Sequence, residues 1–242
     1  MPLLLETFTS EDITARDRSH ILHLLYIMIR GIAWADGLDN ELVQSCLNET
    51  FGNWMAIFLQ IIQSNASKNI AVRINALSCL TVIFRDLINY SRNSINIILK
   101  PVWKLLNSTL PVYTETVGYN RKNQNSDDEK SDGEDSWEDD SDNNQVKLLA
   151  FHTLELLSSL VQRPNVQQIV QQGLVPLTTT VCSYLIIEAV QEHEHRFDQT
   201  FFLSTGIENL NNESIRNKCL QLVSCLIEVF GDEAIGAMLL FI

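Results

Sequence analysis

The sequence lacks the patterns by which several classes of protein are recognised. It contains no CxxC pair, no glycine-rich phosphate loop, no G-x-S-x-G nucleophile elbow and no stripe of basic residues. These absences argue against a zinc or redox motif, a nucleotide-binding or hydrolase fold, and a nucleic-acid-binding surface. We therefore expect a protein that is not an enzyme, requires no cofactor or metal, and makes no direct contact with nucleic acid.

Long apolar runs are also missing. The longest one near the start, residues 21–34, contains His23 and Arg30 and falls short of the ~20 residues that a membrane span needs. We expect a buried helix there and no membrane insertion.

The five cysteines are odd in number and lie in apolar helical patterns, which predicts buried, reduced thiols. They are Cys46, Cys79, Cys182, Cys219 and Cys225.

The strongest positive feature is a dense acidic run at residues 126–142, which separates segments with helical periodicity. It holds ten of the 30 carboxylates, and without it the formal charge of the chain falls from −13 to −4. Such a block cannot bury enough apolar surface to offset the entropy of ordering it, so we predict a disordered loop that binds basic partners. The candidate cargo-binding residues are Asp127, Asp128, Glu129, Asp132, Glu134, Asp135, Trp137, Glu138, Asp139, Asp140 and Asp142. Trp137 would be an apolar anchor within the charge, although packing onto its own fold is an equal alternative.

Two pairs of closely spaced histidines are candidate metal ligands. His193 and His195 are two residues apart and would point to different sides of a helix, which favours a solvated polar turn. His20 and His23 share a helical face but have no companion carboxylate motif. We predict no metal site.

Nearly every ordered segment follows the helical period, which predicts an all-α fold. The sequence Thr9-Ser-Glu-Asp12 looks like a capping box that opens a helix ending near Trp34. Further helices are predicted at about 39–51, 53–64, 69–90, 94–110, 145–162, 165–190, 213–229 and 232–242.

An internal repeat organises these helices. Segments beginning at Val72, Val146 and Ile215 share a β-branched residue, a cation, and then small and large apolar residues. Pro101 and Pro176 follow the first two anchors by 29 and 30 residues. Leu77, Leu80, Ile83 and Phe84 exemplify the expected core stripe. The recurring cations, Arg73, Lys147 and Arg216, predict a ladder of polar contacts between repeats, with ligand binding as the alternative.

The anchors are 74 and 69 residues apart, longer than the ~40–47 residues of a HEAT or armadillo unit. Polar insertions at 119–144 and 191–212 account for the excess. We therefore predict one HEAT-repeat solenoid over residues 1–242, built from antiparallel helix pairs stacked into a superhelix and carrying two inserted loops.

Tandem HEAT-like pairs broken by an acidic loop resemble the importin-β (karyopherin-β) superfamily of nuclear transport receptors. Within it, the chain is similar to the central part of the importin nine branch in the order of five segments. They are Pro101-Val-Trp-Lys-Leu-Leu, Val112 to Tyr119, Ser131-Asp-Gly-Glu134, Glu192 to Phe202 and Ser214-Ile-Arg216. The resemblance covers roughly residues 70–235.

The resemblance implies a receptor that carries basic cargo, such as histones or ribosomal proteins, through nuclear pores. It implies shuttling between cytoplasm and nucleus, contact with nuclear pore proteins, and cargo release on binding of Ran-GTP by the full-length receptor. Two alternatives remain open: a HEAT-repeat scaffold or adaptor in which the acidic run is a solubilising spacer, and a histone-chaperone-like protein without a transport function.

Overall fold

The fold was obtained as a computed structural model, which describes residues 2–34, 41–64, 69–91, 94–124, 139–198 and 214–241. All regular secondary structure in these ranges is helical, which confirms the all-α prediction. The helices are α1 (Pro2–Thr9), α2 (Ala15–Trp34), α3 (Glu41–Gln63), α4 (Ile70–Asp86), α5 (Ile88–Ser91), α6 (Ile95–Gln124), α7 (Asp139–Val161), α8 (Pro164–Gln172), α9 (Leu174–Asp198), α10 (Ile215–Phe230) and α11 (Asp232–Leu239).

The chain forms two compact units, each assembled from two stretches of sequence. Unit 1 comprises residues 1–105 and 155–167, and unit 2 comprises residues 106–154 and 168–242. The three repeat anchors lie on α4, α7 and α10, so each predicted equivalent segment is helical. Their stacking as HEAT repeats in one solenoid stays a prediction.

Helix α4 is the central element of unit 1. Its predicted core stripe is confirmed, because Leu77, Leu80, Ile83 and Phe84 are all buried. Burial of a large aliphatic or aromatic side chain contributes about 1.5–3 kcal/mol, so this stripe is a main source of stability in the unit.

Helix α2 packs along α4 through both apolar and polar contacts. The thiol of Cys79 donates a hydrogen bond to the Leu22 carbonyl at 3.3 Å. The Asn75 side-chain amide donates to the Ser19 carbonyl at 3.1 Å and to the Ser19 hydroxyl at 2.7 Å. These polar contacts fix the register of the two helices, because a shift along the axis would leave buried donors without partners.

Helices α1 and α3 complete the same core with aromatic side chains. The rings of Phe8 and Trp54 meet edge to face with centroids 5.8 Å apart, and the rings of Trp54 and Phe58 stack with centroids 6.0 Å apart. The Arg18 guanidinium lies 5.8 Å from the centre of the Phe8 ring. The short helix α1 is thereby held to the longer helices.

Residues far apart in sequence join at the carboxyl end of α4. Arg163, in the turn between α7 and α8, donates a hydrogen bond to the Phe84 carbonyl at 2.7 Å. Carbonyls in the last turn of a helix have no partner within the helix, and the negative end of the helix dipole favours a cation there. Arg163 therefore caps α4.

Unit 2 includes α9, α10 and α11, which pack against one another. Helix α10 begins with a side-chain cap, since the Asn217 backbone N–H donates to the Ser214 hydroxyl at 3.2 Å. It ends at Gly231, whose φ of 52° is favoured for glycine because it has no Cβ. The Gly231 N–H donates to the Ile227 carbonyl at 2.8 Å, and α11 starts at the next residue.

The predicted opening of α2 was wrong. Thr9 ends α1, and its hydroxyl donates to the carbonyls of Leu5 and Glu6. The actual capping box lies five residues later, where the Asp17 backbone N–H donates to the Thr14 hydroxyl and the Asp17 carboxylate accepts from the Thr14 backbone N–H. The predicted end at Trp34 is confirmed.

Other predicted helix boundaries require correction. The helices expected at 39–51 and 53–64 are the single helix α3, which passes through Gly52. The helix expected at 165–190 is two helices, α8 and α9, which meet at Gly173 with a bend of 85°. Residues 21–34 belong to a helix that is buried on one side only, not a fully buried one.

Helices extend into both of the predicted insertions. Helix α6 continues to Gln124 and α7 begins at Asp139, so both ends of the predicted 119–144 loop are helical. Helix α9 continues to Asp198, so residues 191–198, including the predicted polar turn at His193 and His195, are helical too. Residues 125–138 and 199–213 lie outside the described ranges.

Candidate functional site

The candidate site is the acidic run at residues 126–142, and the structure describes the backbone at its carboxyl end. Asp139, Asp140 and Asp142 lie in the first turn of α7. Acidic residues favour a helix start because the free N–H groups there carry partial positive charge. The other candidates lie outside the described residues; they are Asp127, Asp128, Glu129, Asp132, Glu134, Asp135, Trp137 and Glu138.

The helix that leads into the acidic run is anchored in unit 2 by buried polar contacts. In α6, the Asn107 side-chain oxygen accepts a hydrogen bond from the Thr180 hydroxyl at 2.7 Å. The neighbouring Leu106 carbonyl accepts from the Tyr184 hydroxyl at 3.2 Å. Pro111 lies one turn further along α6 and has no N–H to donate to Asn107, so side chains of α9 stabilise the part of the helix that a proline weakens.

Two buried tyrosines form the centre of this anchor. The rings of Tyr113 on α6 and Tyr184 on α9 lie with centroids 5.1 Å apart. The Tyr113 hydroxyl donates a hydrogen bond to the Glu188 carboxylate. Burial raises the pKa of Tyr113, and the hydrogen bond to Glu188 raises it further. Burial likewise raises the pKa of Tyr184. Both hydroxyls therefore remain protonated donors.

The helix that leaves the acidic run is anchored by a cation and an aromatic ring. The ammonium of Lys218 on α10 lies 4.9 Å from the centre of the Phe151 ring on α7, and Lys218 is itself buried. A cation over an aromatic face is worth about 0.5–2 kcal/mol, with the larger value where water is excluded. Both ends of the acidic run are thus attached to helices that unit 2 holds in place.

Arg73, the first of the recurring cations, makes a polar contact with the residue that follows α3. Arg73 is buried, and its guanidinium donates to the Ser64 hydroxyl, just beyond α3, at 3.5 Å. Burial lowers the pKa of Arg73. The ladder predicted for Arg73, Lys147 and Arg216 stays a prediction.

The cysteine prediction is confirmed for three residues and wrong for two. Cys79, Cys219 and Cys225 are buried, whereas Cys46 and Cys182 are partly exposed. All five are free thiols. Burial raises the pKa of the Cys79 thiol and of the Cys219 thiol, which suppresses the reactive thiolate at neutral pH.

Within the described ranges, no group of three or more His, Cys, Asp or Glu side chains is placed to hold a metal ion. His20 and His23 are both exposed on α2, and the His23 ring stacks with the Tyr26 ring at 6.2 Å. In the part of the chain that the structure describes, no single helix meets the criteria for a membrane span; only α8 and α9 through Val190, bent by 85°, meet them together.

One surface was not anticipated from the sequence. Several large apolar side chains on α2 are exposed, among them Leu24, Ile27 and Trp34. Their spacing was visible in the sequence, but the same helix carries a second apolar stripe that packs on α4. The two stripes together gave the appearance of a helix buried on all sides.

Comparison with known proteins does not assign the chain to a family. No protein-family model matches the chain, and no curated protein matches it.

Proposed function

We propose that this chain is a helical interaction module of a nuclear import receptor of the importin-β type, and that it binds a basic protein through the acidic run. The observation that carries the proposal is a run of ten carboxylates within 17 residues, seven of them between helices α6 and α7 and three in the first turn of α7. The adjoining halves of both helices belong to unit 2.

Electrostatics supports a basic protein as the partner. Ten carboxylates and one lysine in so short a segment create a strong negative potential, which attracts a positively charged protein over a distance of about one Debye length, ~8 Å at physiological ionic strength. Such steering raises association rates without requiring one fixed geometry. A DNA-binding surface, such as that of a histone, is the partner that such charge matches best.

Transport is the finer part of the proposal and comes from the sequence resemblance. On this proposal the chain supplies a cargo-contacting segment, and Ran-GTP and nuclear pore proteins act on the full-length receptor. Cargo binding involves no covalent step, so the proposed function is not catalytic and uses no cofactor.

The test measures association of the chain with a histone dimer by stopped flow at several salt concentrations. Neutralising six carboxylates of the acidic run should lower the association rate by at least about tenfold at low salt and by less at high salt, because exposed charges are screened. The six substitutions are Asp127→Asn, Asp128→Asn, Glu129→Gln, Asp132→Asn, Glu134→Gln and Asp135→Asn.

A matched control removes the same charge from elsewhere on the surface. Six exposed carboxylates on the helices and turns are suitable: Glu6, Glu11, Asp12, Glu49, Glu115 and Glu228. If the acidic run is the binding site, this control should change the association rate much less than the first variant does. Equal effects would show that only the net charge matters. If neither variant changed the association rate, the acidic run would be a solubilising spacer and not a binding site.

A pull-down of histone dimer with and without Ran-GTP, performed on the full-length receptor, separates transport from its alternatives. A receptor releases its cargo when Ran-GTP is added. Binding that does not respond to the nucleotide state would instead support a histone-chaperone-like protein or an adaptor.

A further inference from the structure

Helix α2 has two apolar sides, and one of them has no partner among the described residues. The buried side includes Leu22 and Leu25, which pack toward α4 and are fully buried. On the opposite side Leu24, Ile27 and Trp34 are 51%, 52% and 79% exposed. Three large apolar side chains on one helix face, each at least half in water, are unfavourable unless something covers them.

The exposed side has the spacing of a coiled-coil seam. His20, Leu24, Ile27, Gly31 and Trp34 follow one another at intervals of four, three, four and three residues, which are the d and a positions of a heptad. At 100° per residue these five positions cover an arc of about 80°. We call Leu24, Ile27, Gly31 and Trp34 the α2 seam. An arc this narrow fits one helix better than a lipid surface, which takes a wider stripe.

Gly31 has no side chain, so it leaves a depression in the middle of the α2 seam. A Cβ added at this position would meet nothing within 4 Å, so the space above the backbone is open. A side chain from a partner helix can enter that space and contact the α2 backbone directly, as a knob enters a hole.

A row of basic side chains borders the α2 seam along one edge. Arg16, His23 and Arg30 are spaced by seven residues, are all exposed, and occupy the g positions of the same heptad. The Arg30 guanidinium lies 5.9 Å from the centre of the Trp34 ring and donates to the Tyr26 hydroxyl at 3.3 Å, so it is held beside the α2 seam. The single carboxylate of α2, Asp17, accepts hydrogen bonds from Thr14 in the capping box.

We propose that the α2 seam binds an amphipathic helix of a partner protein, and that the partner carries carboxylates along the edge of its own apolar stripe. Charges at g positions select partners by sign, and the g row of α2 is basic. A second copy of this chain is a poor match. An antiparallel pair would place two basic g rows together, and a parallel pair would place Arg16 and His23 opposite the uncharged e positions Ile21 and Met28.

The test uses the full chain carrying the six substitutions that neutralise the acidic run, because the unchanged run would itself attract a basic peptide. The probe is a labelled designed peptide of four heptads, with leucine at a and d and glutamate at every e and g. A matched peptide has lysine in place of each of those glutamates, and like charge keeps each peptide from pairing with itself. We expect the acidic peptide to bind in fluorescence anisotropy and the basic peptide to bind at least about tenfold more weakly.

Two variants make the test specific to the α2 seam. Leu24→Ser combined with Ile27→Ser should weaken binding of the acidic peptide by at least about tenfold. Arg16→Glu combined with Arg30→Glu should reverse the preference, so that the basic peptide binds more tightly. All four positions are exposed, so helical content and melting temperature should stay close to those of the unchanged chain in circular dichroism.

Four results would overturn the proposal: equal binding of both peptides, binding of neither, failure of the Arg16→Glu, Arg30→Glu variant to change the preference, and occupation of the α2 seam by another surface. The last case has two forms. One is a dimer in analytical ultracentrifugation that the Leu24→Ser, Ile27→Ser variant abolishes. The other is flotation with vesicles of phosphatidylserine and phosphatidylcholine that the same variant abolishes. None of these results bears on the acidic run, so failure here leaves the proposed function untouched.

Discussion

Helices α2 and α4 lie against each other in unit 1, yet their surroundings differ. Helix α4 buries ten of its 17 residues, including a cation, Arg73, whereas α2 buries four of its 20. Both sequences are rich in large aliphatic residues, and sequence alone suggested that both are core helices. The difference teaches that apolar content alone does not distinguish a helix that is buried on most sides from a helix with one buried and one exposed apolar side.

The largest expected effect separates the two sides of α2. Leu22→Ala removes a fully buried side chain and should lower the free energy of unfolding by about 2–5 kcal/mol, since it leaves a cavity against α4. Leu24→Ala, two residues away and half exposed, should change it by no more than about 0.5 kcal/mol. Urea denaturation followed by circular dichroism measures both. Similar losses would mean that the α2 seam is covered within this chain and that the comparison with α4 fails.

A smaller effect is expected at the carboxyl end of α4. Arg163→Met removes the guanidinium that donates to the Phe84 carbonyl and should cost about 1.5–3 kcal/mol, the range for a hydrogen bond to a charged group. Arg85→Met is the control. Arg85 lies in the last turn of the same helix, and its ion pair with Asp86 is exposed, so its loss should cost less than about 1 kcal/mol. Equal costs in urea denaturation would show that Arg163 does not cap α4.

The smallest effect concerns thiol chemistry and leaves stability unchanged. Cys79 lies between α4 and α2, its pKa is raised by burial, and it should react with a thiol reagent only when the protein unfolds. Cys182 on α9 is partly exposed and should react in the folded protein at neutral pH. Mass spectrometry after timed labelling distinguishes the two sites. Fast modification of Cys79 in the native protein would show that α2 separates readily from α4.

Much of the fold followed from periodicity, but the helix boundaries did not, and three glycines show why. Gly31 and Gly52 lie inside continuous helices, whereas Gly173 separates α8 from α9. Pro176, three positions after Gly173, favours the break, although Pro101 and Pro111 lie inside the continuous helix α6 and show that a proline alone does not end a helix. In a continuous helix Pro176 would have no N–H for the Gln172 carbonyl, whereas a helix that restarts at Leu174 places the proline in its first turn, where no such bond is needed.

The start of α2 illustrates a second limit. Thr9 and Thr14 are each followed three residues later by an aspartate, so the two sites are equivalent as capping signals. The choice between them depends on Phe8, which packs against Trp54 and keeps Thr9 at the end of α1. That contact joins residues 46 positions apart, which no local pattern records.

The acidic run and the α2 seam also differ in how far the sequence predicts them. Charge density identified the acidic run directly, because ten carboxylates stand out in any composition profile. The heptad spacing of the α2 seam is equally present in the sequence, but its exposure depends on which side of α2 packs on α4. Only the tertiary contacts of Leu22 and Cys79 show that the other side is exposed.

The cap that Arg163 places on α4 also has a consequence for the order of folding. Unit 1 contains residues 1–105 and 155–167, so the chain leaves this unit and returns to it after contributing residues 106–154, which include the adjoining halves of α6 and α7, to unit 2. During synthesis, α4 is complete about 75 residues before Arg163 is made. At ~5–20 residues per second this delay lasts roughly 4–15 s, during which the Phe84 carbonyl has no cap. No single cut in the chain can separate the two units, and neither can reach its final form on the ribosome before the other has begun.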